Sequence, residues 1–400
     1  MFTLHNFKEI TYLCGNANIV AAMPDVPVLP IFSAQVKDFL HALSVAILKD
    51  KRMKTFPDVA SLAFWLRKAN IDKLHAQTYH NISNRIGRGV AFHIAPSNIP
   101  VNFAVSMTSA LLAGNACVVR VSNKDFEQVS IICDAINKVI QKQMPEMAKY
   151  VCIIRYEHSL EITQCLSAIC DLRIIWGGNK TIEEIRKAML PPRSIEMVFA
   201  DRHSFAVINA DEYLKGDFAA IAEGFYIDTY FVDQNACSSP RCVVWMGAEI
   251  EKAQDIFWQT LEEKLVEKYD LMPIQAVNKW NTFCKFAALN PDSHLIQKSN
   301  YLTRIAIDTL PANLMDFKEN SGFFYEYKTQ NIENIVPLLT KPCQTITYYG
   351  VAPETIKNVV LKYGTRGVDR IVKLGTASDI DLIWDGYDMV KAMSRILYLG

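Results

Sequence analysis

A chain of 400 residues is too long for one ordinary hydrophobic core, so two or three domains are expected. Basic and acidic side chains number 42 each, and the lack of net charge argues against a general nucleic-acid footprint. With 50% hydrophobic and 21% charged residues, the composition has an ordinary globular balance.

At the N-terminus, residues 1–10 contain no basic stretch followed by an apolar one, so no signal peptide is read there. No apolar run reaches the about eighteen residues that a spanning helix needs. Residues 33–80 read as largely helical. Ser33 stands where a cap would open a helix ending near 48, and 58–68 is an amphipathic run. From about residue 88 strands and helices alternate. Strand 89–95 ends in the breaker-rich loop Pro96-Ser97-Asn98-Ile99-Pro100. A short apolar helix over 101–112 closes at Gly114-Asn115, followed by strand 116–121 and an amphipathic helix over 125–142. Strand 150–155, helix 160–170 and strand 172–176 come next. The turn Gly177-Gly178 then leads into helix 181–189, and short strands at 197–200 and 205–208 end this half. The alternation predicts parallel βαβ units and an α/β fold. Ligands of such sheets bind at the carboxyl ends of the strands. Here those ends are the loops 96–100 and 121–124 and the turn 177–178. The second half is less regular, with helices at 215–223, 248–269 and 273–288 and a mixed pattern over 332–362. The boundary is placed after 209, giving domains of residues 1–209 and 210–400.

Ten cysteines are scattered along the chain, none in a Cys-x-x-Cys pair and none with histidine at zinc-ligand spacing. Several lie inside apolar runs, as Cys117 and Cys152 do, which suits reduced thiols in a cytoplasm. The stretch Asp233-Gln234-Asn235-Ala236-Cys237-Ser238-Ser239-Pro240 sets one cysteine among small and amide residues, between an aromatic run and an apolar run. That pattern displays a thiol on a tight loop, where a thiolate can take up an acyl group as a thioester. Taken alone it equally suits a buried small hydrophobe. Asn98 offers an amide donor for an oxyanion, or is a turn residue satisfied by its own backbone. Gly177-Gly178 would let a cofactor approach a helix N-terminus, or is a plain tight turn. Arg120, Ser122 and Lys124 could hold a ribose 2′-phosphate, or form a solvated strand end. The acidic residues Asp379, Asp381, Asp385 and Asp388 are read as surface caps and ion pairs rather than as a metal site.

Taken in order, these segments resemble the aldehyde dehydrogenase superfamily, and more narrowly its acyl-CoA reductase branch, which includes the fatty-acid reductase of bacterial luminescence. The resemblance runs from about Gly87 to Leu399. Pro96-Ser97-Asn98-Ile99-Pro100 is similar to the superfamily's oxyanion loop, and the segment from Gly114-Asn115 to Ser122 to its adenosine-ribose strand. Trp176-Gly177-Gly178-Asn179-Lys180-Thr181 is similar to its cofactor turn, and the Cys237 segment to its nucleophile loop. The stretches 344–350, 367–372 and 384–386 resemble the narrower branch. The resemblance implies a Rossmann-type cofactor domain (residues 1–209, with a helical N-terminal segment) and a second α/β catalytic domain (210–400, with a C-terminal tail). It further implies Cys237 as nucleophile and Asn98 as oxyanion donor. Pro96, Ser97, Arg120, Ser122, Lys124, Gly177, Gly178 and Thr181 are implied at the cofactor.

Two departures from the superfamily pattern matter. Where aldehyde-oxidising members carry a glutamate that activates water, this chain has Phe199, and Glu196 lies three residues away. Without that base a thiol such as coenzyme A becomes the natural acyl partner. Arg120 replaces the usual lysine, and with Lys124 nearby and no acidic residue closer than Asp125, NADPH is favoured over NADH. The expected activity is therefore an acyl-CoA reductase that takes an acyl-CoA or acyl-protein donor, forms an acyl-Cys237 thioester and reduces it with NADPH to a fatty aldehyde. An acyltransferase or thioesterase using the same cysteine without a cofactor is the alternative, as is a non-catalytic acyl-binding subunit. His93 and His203 are candidates for proton transfer, with a structural role as the competing reading. A homo-oligomer is expected, and an acyl-transferring protein partner is implied by the resemblance alone.

Overall fold

The computed structural model describes residues 7–400, and of Gln297 and Lys298 the backbone alone. The chain divides into two compact units. One runs up to Ala200 and includes Ile380–Gly400; the other is Asp201–Asp379.

The first unit contains strands β1 (Thr11–Cys14), β2 (Arg85–Gly87), β3 (Val90–Ile94), β4 (Ala116–Arg120), β5 (Val151–Arg155), β6 (Leu172–Trp176) and β7 (Ile195–Phe199). Six of them form a sheet in the order β1-β5-β4-β3-β6-β7, parallel except for β1 against β5. Every residue of β3, β4 and β6 is buried, so both faces of the sheet centre are covered. That is why these strands read as largely apolar runs, with His93, Arg120 and Arg173 the polar exceptions. Helices Asn102–Leu112, Glu127–Lys142, Leu160–Ala168 and Asn179–Arg186 connect the parallel strands. Glu127–Lys142 buries Val129, Ile132, Cys133, Ile136 and Val139, the three-and-four spacing of an amphipathic helix. The chain builds from β3 outward to β4 and β5, then returns on the other side of β3 as β6. Crossovers therefore leave β3 and β6 in opposite directions and open a crevice at the carboxyl ends of the strands.

The second unit contains β8 (His203–Asn209), β9 (Pro240–Met246), β10 (His294–Lys298), β11 (Thr303–Ile307), β12 (Phe323–Lys328), β13 (Cys343–Tyr349) and β14 (Arg370–Lys373). They form one sheet in the order β10-β11-β12-β9-β8-β13-β14, antiparallel only between β10 and β11. Alternate residues feed two cores. Ala206, Ile208, Val243 and Trp245 pack with helices Phe218–Asp228 and Ile250–Lys268, while Phe205, Val207, Cys242 and Val244 pack with Phe286, Ile356 and Val359. Cys242 is thus a packed side chain, and burial pushes its thiol up. Helix Phe218–Asp228 starts three residues later than expected, because Asp217 caps it by accepting from the Ala220 N–H at 3.0 Å. Asp217→Ala is expected to cost about 1 kcal/mol of stability, read as a lower denaturant midpoint at unchanged slope.

Strands β15 (Ile383–Trp384), β16 (Tyr387–Asp388) and β17 (Ser394–Ile396) lie in the C-terminal segment. Asp385 and Gly386, both at positive φ, make the two-residue turn of the β15–β16 hairpin. Asp388 accepts from Tyr79 Oη at 2.8 Å and from the Lys391 N–H at 3.0 Å.

The division differs from the expected boundary after 209 in two ways. β8 belongs to the second unit, because it pairs with β9 and β13. The expected tail of the second domain belongs to the first unit. There Leu382, Met389, Val390 and Met393 enter the core, β17 pairs with β2, and Asn115 donates to Met393 O at 2.9 Å.

Candidate active site

The sequence-derived candidates fall into two groups, one in each unit. In the first unit, Pro96, Ser97 and Asn98 follow β3; Arg120, Ser122 and Lys124 end or follow β4; Gly177, Gly178 and Thr181 follow β6. The three strands are neighbours. These nine residues therefore share the carboxyl edge, on both sides of the β3–β6 switch. Ser97 and Asn98 are exposed.

The turn after β6 suits a phosphate-bearing cofactor. Gly178 is the N-cap of helix Asn179–Arg186 and supplies no side-chain cap, so the first-turn N–H groups take no partner from it. A Cβ on Gly177 would stand 3.1 Å from Thr181 Cγ2, so the turn packs tightly on the helix it opens. The edge after β4 is divided. Lys124 is exposed and its N–H donates to Ser122 Oγ at 3.2 Å. Arg120 is buried, donates to Tyr156 O at 3.2 Å and lies 5.0 Å from the centre of the Tyr156 ring. Its guanidinium is thereby committed within the fold.

Beneath this edge, Ser106 Oγ accepts from Trp176 Nε1 at 2.9 Å and meets His93 Nδ1 at 2.7 Å. Complete burial pushes His93 down to about 3, so it is a neutral structural group at pH 7. Phe199 is buried and stacks on Trp176, with ring centres 3.6 Å apart. Nothing at that side chain can accept a proton from water. Glu196 is held by Arg173 at 2.9 Å and Arg186 at 2.7 Å, a structural ion-pair cluster.

In the second unit, Cys237 lies at the amino end of β9. Asp233 and Gln234 both hold left-handed backbone angles, φ 52° and 59°. Two consecutive non-glycine residues there store strain of roughly 1–3 kcal/mol each, which persists only when the surroundings over-determine it. The contacts do so. Tyr269 donates to Asp233 Oδ1 at 2.6 Å, and the Ser321 N–H donates to Asp233 O at 3.1 Å. The Gln234 amide donates to Pro240 O and Phe323 O, and its oxygen accepts from the N–H groups of Gly322 and Phe323. Asn320 Nδ2 donates to Asn235 Oδ1 at 2.7 Å. Loop 318–323 is thereby interlocked with the cysteine loop. The carbonyl of Cys237 accepts from Ser204 Oγ at 2.7 Å, and the Thr345 N–H donates to that hydroxyl at 3.0 Å. Cys237 itself is half-buried, whereas Ser238 and Ser239 are buried.

Two cations act on this loop, and a third acts on the neighbouring His203. Arg241 and Lys318 both interact electrostatically with Cys237, and Arg202 joins them beside His203. Burial, and then these cations, push His203 down to about 4, so it too is neutral at pH 7. It therefore carries no imidazolium proton to donate. The sequence reading missed Arg241 and Lys318. Arg241 had a local signal, a charged residue opening a buried strand four positions after the cysteine. Lys318 had none, since only the fold brings its loop to Cys237.

The acyl-CoA reductase (LuxC) family model matches residues 66–396. The long-chain acyl-protein thioester reductase of Aliivibrio fischeri is 25% identical over 296 residues, covering 72% of this chain and 58% of that protein. The reductase of the same name from Photorhabdus luminescens is 23% identical over 327 residues, covering 78% and 63%. This chain spans less than two thirds of the length of these curated relatives. Among solved structures, aldehyde dehydrogenase 21 from Physcomitrella patens, in complex with succinate, superposes with a TM-score of 0.65 at 11% identity. The match covers 94% of this chain and 87% of that one. The fold is that of the aldehyde dehydrogenases.

Proposed function

The chain belongs to the acyl-CoA reductase (LuxC) family, and from that premise we propose that it reduces a long-chain acyl thioester to a fatty aldehyde through an acyl group carried on Cys237. The observation that carries this reading is the Cys237 loop, locked in a strained conformation in the electrostatic field of Arg241 and Lys318. A rigidly displayed thiol near positive charge is the arrangement of a nucleophile rather than of a packing residue.

In this reading Cys237 Sγ attacks the thioester carbonyl carbon, the bond from that carbon to the donor sulfur breaks, and the donor leaves as a thiol after taking up a proton. Asn98 is proposed as a donor to the oxyanion, as the resemblance implies. A nicotinamide cofactor, held at the Gly177–Gly178 turn, would supply hydride (two electrons and one hydrogen) for the acyl carbon, with the accompanying proton coming from water. The resulting thiohemiacetal on Cys237 collapses to aldehyde and returns the thiol. Phe199 in place of an acid–base residue leaves water without an activating group, which favours reduction over hydrolysis. The donor is proposed to be an acyl-protein or acyl-CoA thioester; the named relatives are acyl-protein thioester reductases.

The cofactor is proposed to be NADPH in preference to NADH, held by the Gly177–Gly178 turn with Pro96, Ser97 and Thr181 nearby. Exposed Lys124 beside Ser122 supports the 2′-phosphate contact, with Arg120 shaping the edge from within. Among the described residues no helix is long and apolar enough to cross a membrane. A cytoplasmic homo-oligomer working with an acyl-transferring partner completes the proposal.

The test is intact-mass spectrometry after incubation with tetradecanoyl thioesters of coenzyme A and of a carrier protein, followed by addition of NADPH or NADH. An acyl mass on the protein, discharged to aldehyde by a nicotinamide and faster by NADPH, is the expected result. An acyl mass that neither nicotinamide discharges would identify an acyltransferase or thioesterase. No acyl mass from any donor would remove the reading.

A further inference from the structure

Arg241 opens β9 directly behind the cysteine loop and is 7% exposed. Its guanidinium donates to Gln234 O, Glu319 O and Asn320 Oδ1. All three acceptors are neutral. Among the described residues, no carboxylate hydrogen-bonds to this guanidinium. A cation removed from water and given only neutral acceptors is costly unless an anion stands close. Burial accordingly pulls Arg241 down to about 10, and the groups opposing that shift are Glu319 and Cys237. Glu319 is the larger of the two, a standing carboxylate held in place by the Asn320 N–H at 2.9 Å and by Thr282 Oγ1 at 3.2 Å. Cys237 is the one group of the pair that can gain a negative charge when it is needed.

We propose that the buried guanidinium of Arg241 is the counter-charge of an ionised Cys237, and that the same side chain sets the conformation of the nucleophile loop. Arg241 is then a positioning residue with an electrostatic function. Through Gln234 O it fixes the left-handed turn three residues before the sulfur. Through Glu319 O and Asn320 it ties down the loop that carries Lys318. The other charged or titratable groups facing this cluster are Lys318, Arg202, His203, Asp201, Asp316 and Glu319. His203 is neutral, and Lys318, though partly desolvated, reaches the cluster from the surface, so water and salt screen its charge more than that of buried Arg241. The inference rests on the reading of Cys237 as the nucleophile.

The test is site-resolved alkylation of the whole chain with iodoacetamide across pH about 5.5 to 9, with no acyl donor or cofactor present. Peptide mass spectrometry follows Cys237, with exposed Cys284 of the same molecule as internal reference. The expected result below neutrality is alkylation of Cys237 about tenfold faster than that of Cys284. Arg241→Met should remove that advantage, Arg241→Lys should keep most of it, and Lys318→Met should leave it largely intact. The inference is overturned if wild-type Cys237 tracks Cys284, or if Arg241→Met keeps the advantage. It is equally overturned if Arg241→Lys loses as much as Arg241→Met, since loop geometry rather than charge would then be responsible. Should Arg241→Met fail to fold, the wild-type ratio and the lysine variant still decide. A chain that acylates and reduces but shows no advantage sinks this inference alone. A chain with the advantage but no acyl mass keeps it and sinks the reductase reading.

Discussion

Cys237→Ala is expected to abolish acyl-enzyme formation and to lower thioester reduction by about ten-thousand-fold or more. Removing a nucleophile takes away the covalent route and leaves only binding and oxyanion stabilisation. The effect should appear in kcat with the fold retained, because the Cys237 side chain is half-buried and the frame of its loop is made by Asp233, Gln234 and Arg241; losing the anion beside Arg241 should lower thermal stability only slightly. Two comparison variants sharpen the assignment. Cys284→Ser lies on the exposed face of helix Pro273–Leu289 and should leave activity intact. Cys242→Ala empties a fully buried site and should lower stability while the remaining folded protein still acylates. A Cys237→Ala protein that still gains an acyl mass would move the nucleophile to another thiol. Intact-mass spectrometry and single-turnover reduction together separate these outcomes.

The carboxyl edge of the first unit was readable because burial on both faces leaves strands without alternation. Val90–Ile94, Ala116–Arg120 and Leu172–Trp176 are short, mostly apolar runs followed closely by Pro, Ser or Gly, so strand, loop and ligand edge were visible together even with Arg173 inside the third. The second unit hid its strands for the opposite reason. Thr303–Ile307 contains Arg304 and Phe323–Lys328 contains Glu326, and charges inside a run read as exposure. In the fold those two charges meet each other. The domain boundary was misplaced because strand pairing is non-local: nothing in 203–209 announces that its partners are residues 240–246 and 343–349. Asn115 gives a similar lesson. Its segment resembles a cofactor-lining strand, yet its side chain accepts from the N–H groups of Arg88 and Gly89 and donates to Ala110 O and Met393 O, which makes it a structural hub. At the candidate site the cysteine was legible from its small neighbours. Lys318 was not, since its place beside Cys237 depends on hydrogen bonds between two loops more than eighty residues apart, as in the 85-residue separation of Asn235 and Asn320.

Glu326→Ala is expected to destabilise the second unit by about 4–6 kcal/mol, a large share of the roughly 5–15 kcal/mol that holds a typical domain together. Glu326 is 2% exposed, and one carboxylate oxygen accepts three hydrogen bonds, from Trp245 Nε1 at 2.8 Å, Gln254 Nε2 at 2.6 Å and Trp258 Nε1 at 2.8 Å. The other accepts from Arg304 Nε at 2.6 Å. This carboxylate joins β11 and β12 to helix Ile250–Lys268 and supports the edge from which Phe323 reaches Gln234. Alanine would leave two indole N–H groups and an amide without their acceptor, each costing about 1–3 kcal/mol. It would also take the buried carboxylate away from Arg304, and breaking such a pair typically costs about 3–5 kcal/mol. These costs overlap, which sets the range below their sum. Replacing both charges, as Glu326→Leu with Arg304→Met, should recover part of the loss, because an apolar pair of similar volume removes the cation that has lost its carboxylate. The double variant would still strand the indoles, so recovery should stop short of wild type. Denaturant unfolding of the three proteins, followed by tryptophan fluorescence, measures the loss and its recovery. A Glu326→Ala loss below about 1 kcal/mol would mean that water replaces the carboxylate at no cost, and the network would then not be what holds the nucleophile loop's supporting strands in register.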